Sequence, residues 1–294
     1  NLVVLTLLRL VHGIGWGTTS TAAGTIVADI LPAKRRAEGM GYYGMFGTLA
    51  MAIAPAVGLH LMRSYGFGPV FEASACLAVV AILAAAFLRL PVVRAEPGDR
   101  AALYEPRALY PSLVVFFMAM TYGGLVTFLA LYAEEKGIMN IGPYFTIYAA
   151  TLMVSRPLAG MVADSRGARA SVIPGLIFVT LAMITLAAAD SMATFLLAGV
   201  FMGFGFGATQ PTLAALVVTG VAPSRRGAAN GTFFSAFDLG IGTGSMALGV
   251  VARFAGYETM YITAAGIGLW SLLLFLLGWE KWRMVESQRT GCGH

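Results

Sequence analysis

Apolar residues run along this chain in long stretches, broken by short clusters of charge, proline and glycine. A bilayer core of about 30 Å needs about 20 helical residues at a 1.5 Å rise each. Nine stretches meet that length, over residues 2–31, 39–62, 69–90, 109–133, 141–163, 170–190, 193–220, 227–252 and 258–280. The breaks include Pro32-Ala-Lys-Arg-Arg36, Arg63-Ser-Tyr-Gly66, Asp164-Ser-Arg-Gly167, Pro223-Ser-Arg-Arg226 and Phe254-Ala-Gly-Tyr-Glu258. The weakest break is Asp190-Ser191. Runs of this length suit helices; the strands of membrane barrels are about 10 residues long and alternate. The longest polar stretch, 91–108, holds Pro91, Pro97, Pro106 and six charged residues. It reads as a linker between two helical bundles. The pattern therefore divides the chain into 1–90, the linker 91–108, a second bundle over 109–283 and a tail over 284–294.

Composition removes the alternatives. Only 11% of the residues are charged, against about 25% in soluble domains, too few to cover a water-facing surface. Disorder requires low hydrophobicity, and 58% of this chain is hydrophobic. The two cysteines, Cys76 and Cys292, sit in an apolar stretch and in the tail, which gives no disulfide framework. The fold class is an all-α, polytopic membrane protein, with the lipid bilayer as its first partner.

Basic residues give it a direction. With the first segment running from outside to inside, fourteen lysines and arginines fall in inner loops and the tail, and three (Arg63, Lys136 and Arg253) fall outside. That bias places the C-terminus in the cytoplasm. The net charge of +5 then reports orientation against an anionic leaflet and implies no nucleic-acid partner. A chain that starts outside without Met is expected to be a fragment lacking N-terminal helices.

A shift of 190 residues aligns the chain with itself. Gly13-Ile-Gly-Trp-Gly17 falls on Gly203-Phe-Gly-Phe-Gly207, Arg35-Arg36 on Arg225-Arg226, and Gly41 on Gly231. That spacing is about six helices long. Segment one then corresponds to segment seven, and nine segments are the last three helices of one half plus a complete second half. The part outside the chain is expected to be three helices, on the order of 90–100 residues.

Three stretches carry a family resemblance. Arg156-Pro-Leu-Ala-Gly160-Met-Val-Ala-Asp164-Ser-Arg-Gly167-Ala-Arg169 resembles the cytoplasmic loop signature of the major facilitator superfamily. Arg9-Leu-Val-His-Gly13-Ile-Gly15 resembles that family's fourth-helix motif with its buried arginine. The stretch from Gly47 through Pro55 to Gly58 resembles its fifth-helix antiporter motif. Ser165 and Ala168 stand where the family usually has basic residues, and Ala54 and Leu59 replace two glycines. The resemblance implies nine of twelve transmembrane helices in two pseudo-symmetric halves, the first truncated. It also implies proton-coupled efflux of a small organic compound, as in the drug/proton antiporter branch. The protein would be a monomer of the bacterial inner membrane, with the proton gradient as energy source and no cofactor.

Buried charge supplies the candidate chemistry. A charge at the bilayer centre costs about 3 kcal/mol or more unless it is paired or lines a wet cavity. Arg9 and Asp238 sit inside segments, and His12 shares the helical face of Arg9. These three are the candidates for a proton and substrate pathway; an interfacial anchor, a packing histidine and a structural carboxyl are the plainer readings. Arg156, Gly160 and Asp164 are four apart and share one face. Gly160 admits a close neighbour. Asp164 can satisfy the free N–H groups at a neighbouring helix N-terminus. With Gly167 and Arg169 they form the gating latch that the resemblance implies, and the plainer reading is a capped turn. Gly47, Pro55 and Gly58 would give the fifth helix its irregularity. Gly13, Gly17, Gly199, Gly203, Gly207, Gly240 and Gly244 form small-residue packing faces. His12, His60 and His294 have no metal-ligand spacing, and no phosphate-binding loop is present. The chain reads as a transporter and not an enzyme; the alternatives are an uncoupled facilitator or importer and a non-transporting membrane scaffold.

Overall fold

The computed structural model describes residues 2–87, 104–219 and 221–290. Most of the expected linker, 91–103, and the tail end 291–294 lie outside the described residues, as do the side chains of Pro55, Arg63 and Arg283. The described residues fold into long helices: α1 (Leu2–Ile30), α2 (Arg36–Tyr65), α3 (Phe67–Ala86), α4 (Leu109–Glu135), α5 (Gly142–Arg166), α6 (Ala168–Ala187), α7 (Met192–Val218) and α8 (Arg226–Thr290). Short 3-10 turns at Ala33–Arg35, Pro106–Ala108 and Pro223–Arg225 lead into α2, α4 and α8. Among the described residues there is no strand. Among them, six stretches are long and apolar enough to cross a membrane: Phe67–Ala86, Pro106–Glu135, Gly142–Arg166, Ala168–Ala187, Met192–Val218 and Pro223–Glu280.

The last of these is 58 residues long, well over twice what one crossing needs. It breaks at Gly256, where φ is 80° and ψ is 169°. That conformation is open only to glycine. Gly66, between α2 and α3, adopts the same one, with φ 85° and ψ −172°. Gly167, between α5 and α6, does so again at 87° and 158°. Each lets one helix stop and the next begin within a single residue. The weak break at Asp190-Ser191 is closed differently. Ser191 and Thr194 form a reciprocal capping box at the start of α7.

The 190-residue register reappears in the backbone. Ala33 and Pro223 open 3-10 turns, and Arg36 and Arg226 open α2 and α8. Gly66 and Gly256, with the same backbone conformation, are also 190 apart.

Packing concentrates in α4 to α8, which hold most of the buried side chains. Small residues set the spacing. A Cβ built on Gly240 or Gly244 of α8 would collide with the α4 carbonyls of Phe116 or Met120, so the two backbones touch directly. Ser245 adds a hydroxyl 3.0 Å from the Gly123 carbonyl. The glycine face of α7 works the same way: Gly199, Gly203 and Gly207 lie against Tyr144, Ile147, Thr151 and Ser155 of α5. Gly13 and Gly17, their counterparts in α1, have no described neighbour within 4 Å. The packing expected of them therefore does not occur among the described residues, because no helix there takes the place that α5 takes beside α7. None of the described residues of α3 is buried.

Substituting Gly66 or Gly256 by alanine forces a side chain into the glycine-only region. Each change is expected to cost about 1–3 kcal/mol. It should appear as a lowered midpoint of thermal unfolding in detergent, whereas Gly47→Ala, inside α2 with no described neighbour within 4 Å, should leave the midpoint unchanged or raise it slightly.

Candidate functional site

Two features stand out at the end of the bundle that carries Arg36, Arg226 and Asp164. The first is the seam between α5 and α2. Asp164, in the last turn of α5, accepts the backbone N–H of Ala37 at 3.1 Å and that of Glu38 at 2.8 Å. These are first-turn amides of α2, which no intrahelical carbonyl reaches. The carboxylate also meets the positive end of the α2 dipole. The N-cap residue of α2, Arg35, makes no side-chain cap; the cap comes from 126 residues away. Gly160, one turn back, makes the approach possible. A Cβ there would lie 2.5 Å from the Glu38 Cα and 2.6 Å from the Ala37 carbonyl oxygen. Any larger residue pushes α5 off α2 and draws Asp164 away from its amides.

Arg156 continues the same face of α5 toward mid-helix and is buried. Gly41 and Gly44 of α2 make its space: a Cβ on Gly41 would sit 2.7 Å from the Arg156 carbonyl oxygen, and one on Gly44 would overlap Nη1. The predicted Arg156, Gly160 and Asp164 therefore meet α2 in succession. Gly167 supplies the turn after the seam, and Arg169 pairs with Glu280 of α8 at 2.8 Å, outside it.

The second feature is a cavity of about 640 Å³ between α1 and the first limb of α8. Thr18, Thr21, Thr25, Phe234, Ser235 and Asp238 line it, and among the described residues Asp238 is the sole charged one on its wall. Next to its Arg-rich end, Asp29 pairs with Arg226 at 2.5 Å, and Asn230 Nδ2 donates to Thr25 Oγ1 at 3.0 Å. Phe234 packs over Gly24 beside them. Arg9 and His12 lie in the part of α1, residues 3–16, that is exposed throughout among the described residues, and they are not on the cavity wall. A Cβ on Gly47 or Gly58 of α2 would meet nothing within 4 Å among the described residues, and the side chain of Pro55 is outside them.

Several participants were not visible as a set in the sequence. Asp29 and Glu38 read as interfacial charges. Asp29 pairs with Arg226 beside the cavity; Glu38 takes Arg35 Nε at 2.9 Å and Nη2 at 2.7 Å. Glu105 is buried where the polar stretch enters α4. It accepts Arg225 Nε at 2.6 Å, and its backbone N–H donates to Thr232 Oγ1 at 3.0 Å. Arg35-Arg36 and Arg225-Arg226 were a signal for these pairs, because each double arginine opens a helix on the same end.

Comparison with known proteins places this geometry in a family. The sequence profile of the Major Facilitator Superfamily matches residues 1–144 and 112–288. An uncharacterised transporter of this type from Burkholderia pseudomallei (strain 1106a) is 25% identical over 90% of this chain and 65% of its own length. One from Methanocaldococcus jannaschii is 22% identical over 87% of the chain and 69% of its own length. The staphylopine export protein of Staphylococcus aureus (strain Mu50) is 21% identical over 93% of the chain and 72% of its own length. The chain thus spans about two-thirds of the length of the curated relatives it matches. With its membrane-length helices and the profile matching from end to end, this chain is a multi-pass membrane protein that belongs to the Major Facilitator Superfamily.

Proposed function

We propose that this chain is the greater part of a secondary active transporter that exports a small organic compound in exchange for protons, by alternating access. The observation that carries the reading is the Asp164 carboxylate on the Ala37 and Glu38 amides. It joins α5 to α2, two helices on opposite sides of the polar stretch, through an interaction strong enough to hold a state and weak enough to release. A charged cap on a helix N-terminus is worth about 0.5–2 kcal/mol, a two- to thirtyfold bias between two states. On this reading the seam and the Asp29–Arg226 pair close the cytoplasmic side of the pathway. Asp238, on the wall of the cavity, carries the coupled proton.

In this assignment the helices are the fourth to the twelfth of twelve, the C-terminus is cytoplasmic, and the protein works as a monomer in a bacterial inner membrane. The shared 190-residue register supports the count. So does the contrast between the covered glycine face of α7 and the open one of α1, which leaves room for a helix beside Gly13 and Gly17. An uncoupled facilitator of the same fold is the second reading, and Ala54 and Leu59 in the fifth-helix motif favour it.

Full-length protein in proteoliposomes tests both. Asp164→Asn keeps the shape and removes the charge; transport is expected to fall two- to thirtyfold while the affinity for substrate stays within about twofold. A loss confined to affinity would contradict a latch. Asp238→Asn is expected to abolish the response of efflux to an imposed pH gradient. Wild-type flux that ignores a protonophore would favour the facilitator, and an Asp238→Asn variant that still follows the gradient would remove Asp238 from coupling.

A further inference from the structure

Arg156 has no counter-ion among the described residues. It lies two turns from Asp164 on α5, is 8% exposed, and its guanidinium crosses the seam onto Gly44 of α2. Its Nε is buried with no acceptor. The titratable groups that its charge reaches among the described residues are the phenols of Tyr148 and Tyr122, with no carboxylate among them. Its neighbours in kind are treated otherwise. Arg35, Arg169, Arg225 and Arg226 each hold a glutamate or aspartate. Arg36, also buried, has Asp29 and Asp164 near it. An arginine does not neutralise itself by losing its proton. A buried cation without a partner is destabilised by several kcal/mol, so a protein keeping one gains from any anion that arrives.

The surroundings suit such an arrival. The rings of Tyr122 and Tyr148 are 6.4 Å apart, and that of Tyr122 is 4.7 Å from Phe206 of α7. Two phenols hydrogen-bonded to each other, with an aromatic wall behind them, therefore lie within the electrostatic reach of a planar, five-donor cation. That set matches an oxyanion, which a guanidinium takes in bidentate fashion. The two helices that form the seam are the two that the proposed latch joins, so an anion here would sit where the bundles meet.

We propose that Arg156, with the hydroxyls of Tyr122 and Tyr148, binds the oxyanion group of the transported compound, which is an organic anion or zwitterion. This rests on the transporter reading and assigns its substrate class. Asp164 is then the latch, and Arg156 a substrate-binding residue two turns deeper.

The test uses purified full-length protein and four probes at matched ionic strength: glutarate, inorganic phosphate, the neutral glutaramide and 1,5-diaminopentane. Glutarate or phosphate is expected to raise the unfolding temperature, and the amide and the diamine are not; the stronger anion separates a carboxylate site from a phosphate site. Arg156→Gln should weaken binding of that anion about ten- to hundredfold, and Arg156→Lys should recover part of it. Gly44→Ala, which displaces the guanidinium and keeps its charge, should weaken it in the same direction. Should Arg156→Gln fail to fold, phenylglyoxal labelling of the Arg156 peptide in wild-type protein replaces it, with slower labelling in the presence of the anion expected. Indifference of the wild type to both anions, or equal binding by Arg156→Gln, or labelling unaffected by either anion, overturns the proposal. Anion binding without flux in proteoliposomes would retire the transporter reading and leave the site standing; flux of another solute without any anion response would do the reverse.

Discussion

Hydrocarbon offers no hydrogen bonds and no counter-charges, and the arrangement of this chain follows from that. Backbone groups are satisfied within helices. Threonines inside them turn back on their own carbonyls, as Thr25 does to Thr21 at 2.7 Å and Thr243 to Leu239 at 2.7 Å. Charges collect where the helices end, and there they pair: Arg35 with Glu38, Arg225 with Glu105, Arg226 with Asp29, Arg169 with Glu280. With lipid on the outside as apolar as the side chains within, close contact must come from shape. Small residues supply it, and the α4–α8 backbones touch because Gly240 and Gly244 allow them to.

Two kinds of helix contact result, and they differ in how readily they part. The α4–α8 contact is made of interlocked backbone with Ser245 bonded across it. Separating it would open a void along several turns. The α2–α5 seam is narrower at its end: one glycine for approach and one carboxylate on two amides. A cap of this kind is comparable to the thermal bias between conformations of a transporter. The same comparison sets Arg156 apart. The charge of Arg156 is answered by no carboxylate among the described residues.

The internal repeat preserves backbone and lets electrostatics diverge. Arg226 corresponds to Arg36 and Asp29 to Thr219 under the shift of 190. Arg226 has its aspartate at 2.5 Å; at the related place the acid is a threonine, and Arg36 lies instead in the fields of Asp29 and Asp164. The starts of α2 and α8 and the glycine turns at Gly66 and Gly256 coincide to the residue. A turn conformation depends on one residue and its neighbours, whereas an ion pair needs two distant positions to change together.

Helix placement was legible because hydropathy over 20 to 30 residues and a charged or glycine break are local properties. The starts of α4, α5 and α7 and the break at Gly256 follow from them. The one-face spacing of Arg156, Gly160 and Asp164 was legible for the same reason, since about 3.6 residues per turn is a property of one helix. Which helix that face would meet was not. Nothing local in α2 marks Ala37 and Glu38 as the amides Asp164 would cap, or Gly41 and Gly44 as the room for Arg156. Asp29 and Glu38 looked alike as charges near an arginine pair, and only the packing of α1 on α8 sent one of them to Arg226. Tertiary structure also placed Asp238 on a cavity wall, which the spacing of residues within α8 alone did not show. Sequence determines where a helix can lie and which residues share its face. The neighbour that covers that face is chosen by packing among all the helices at once, and it is the neighbour that decides whether a charge is a cap, a pair or a site.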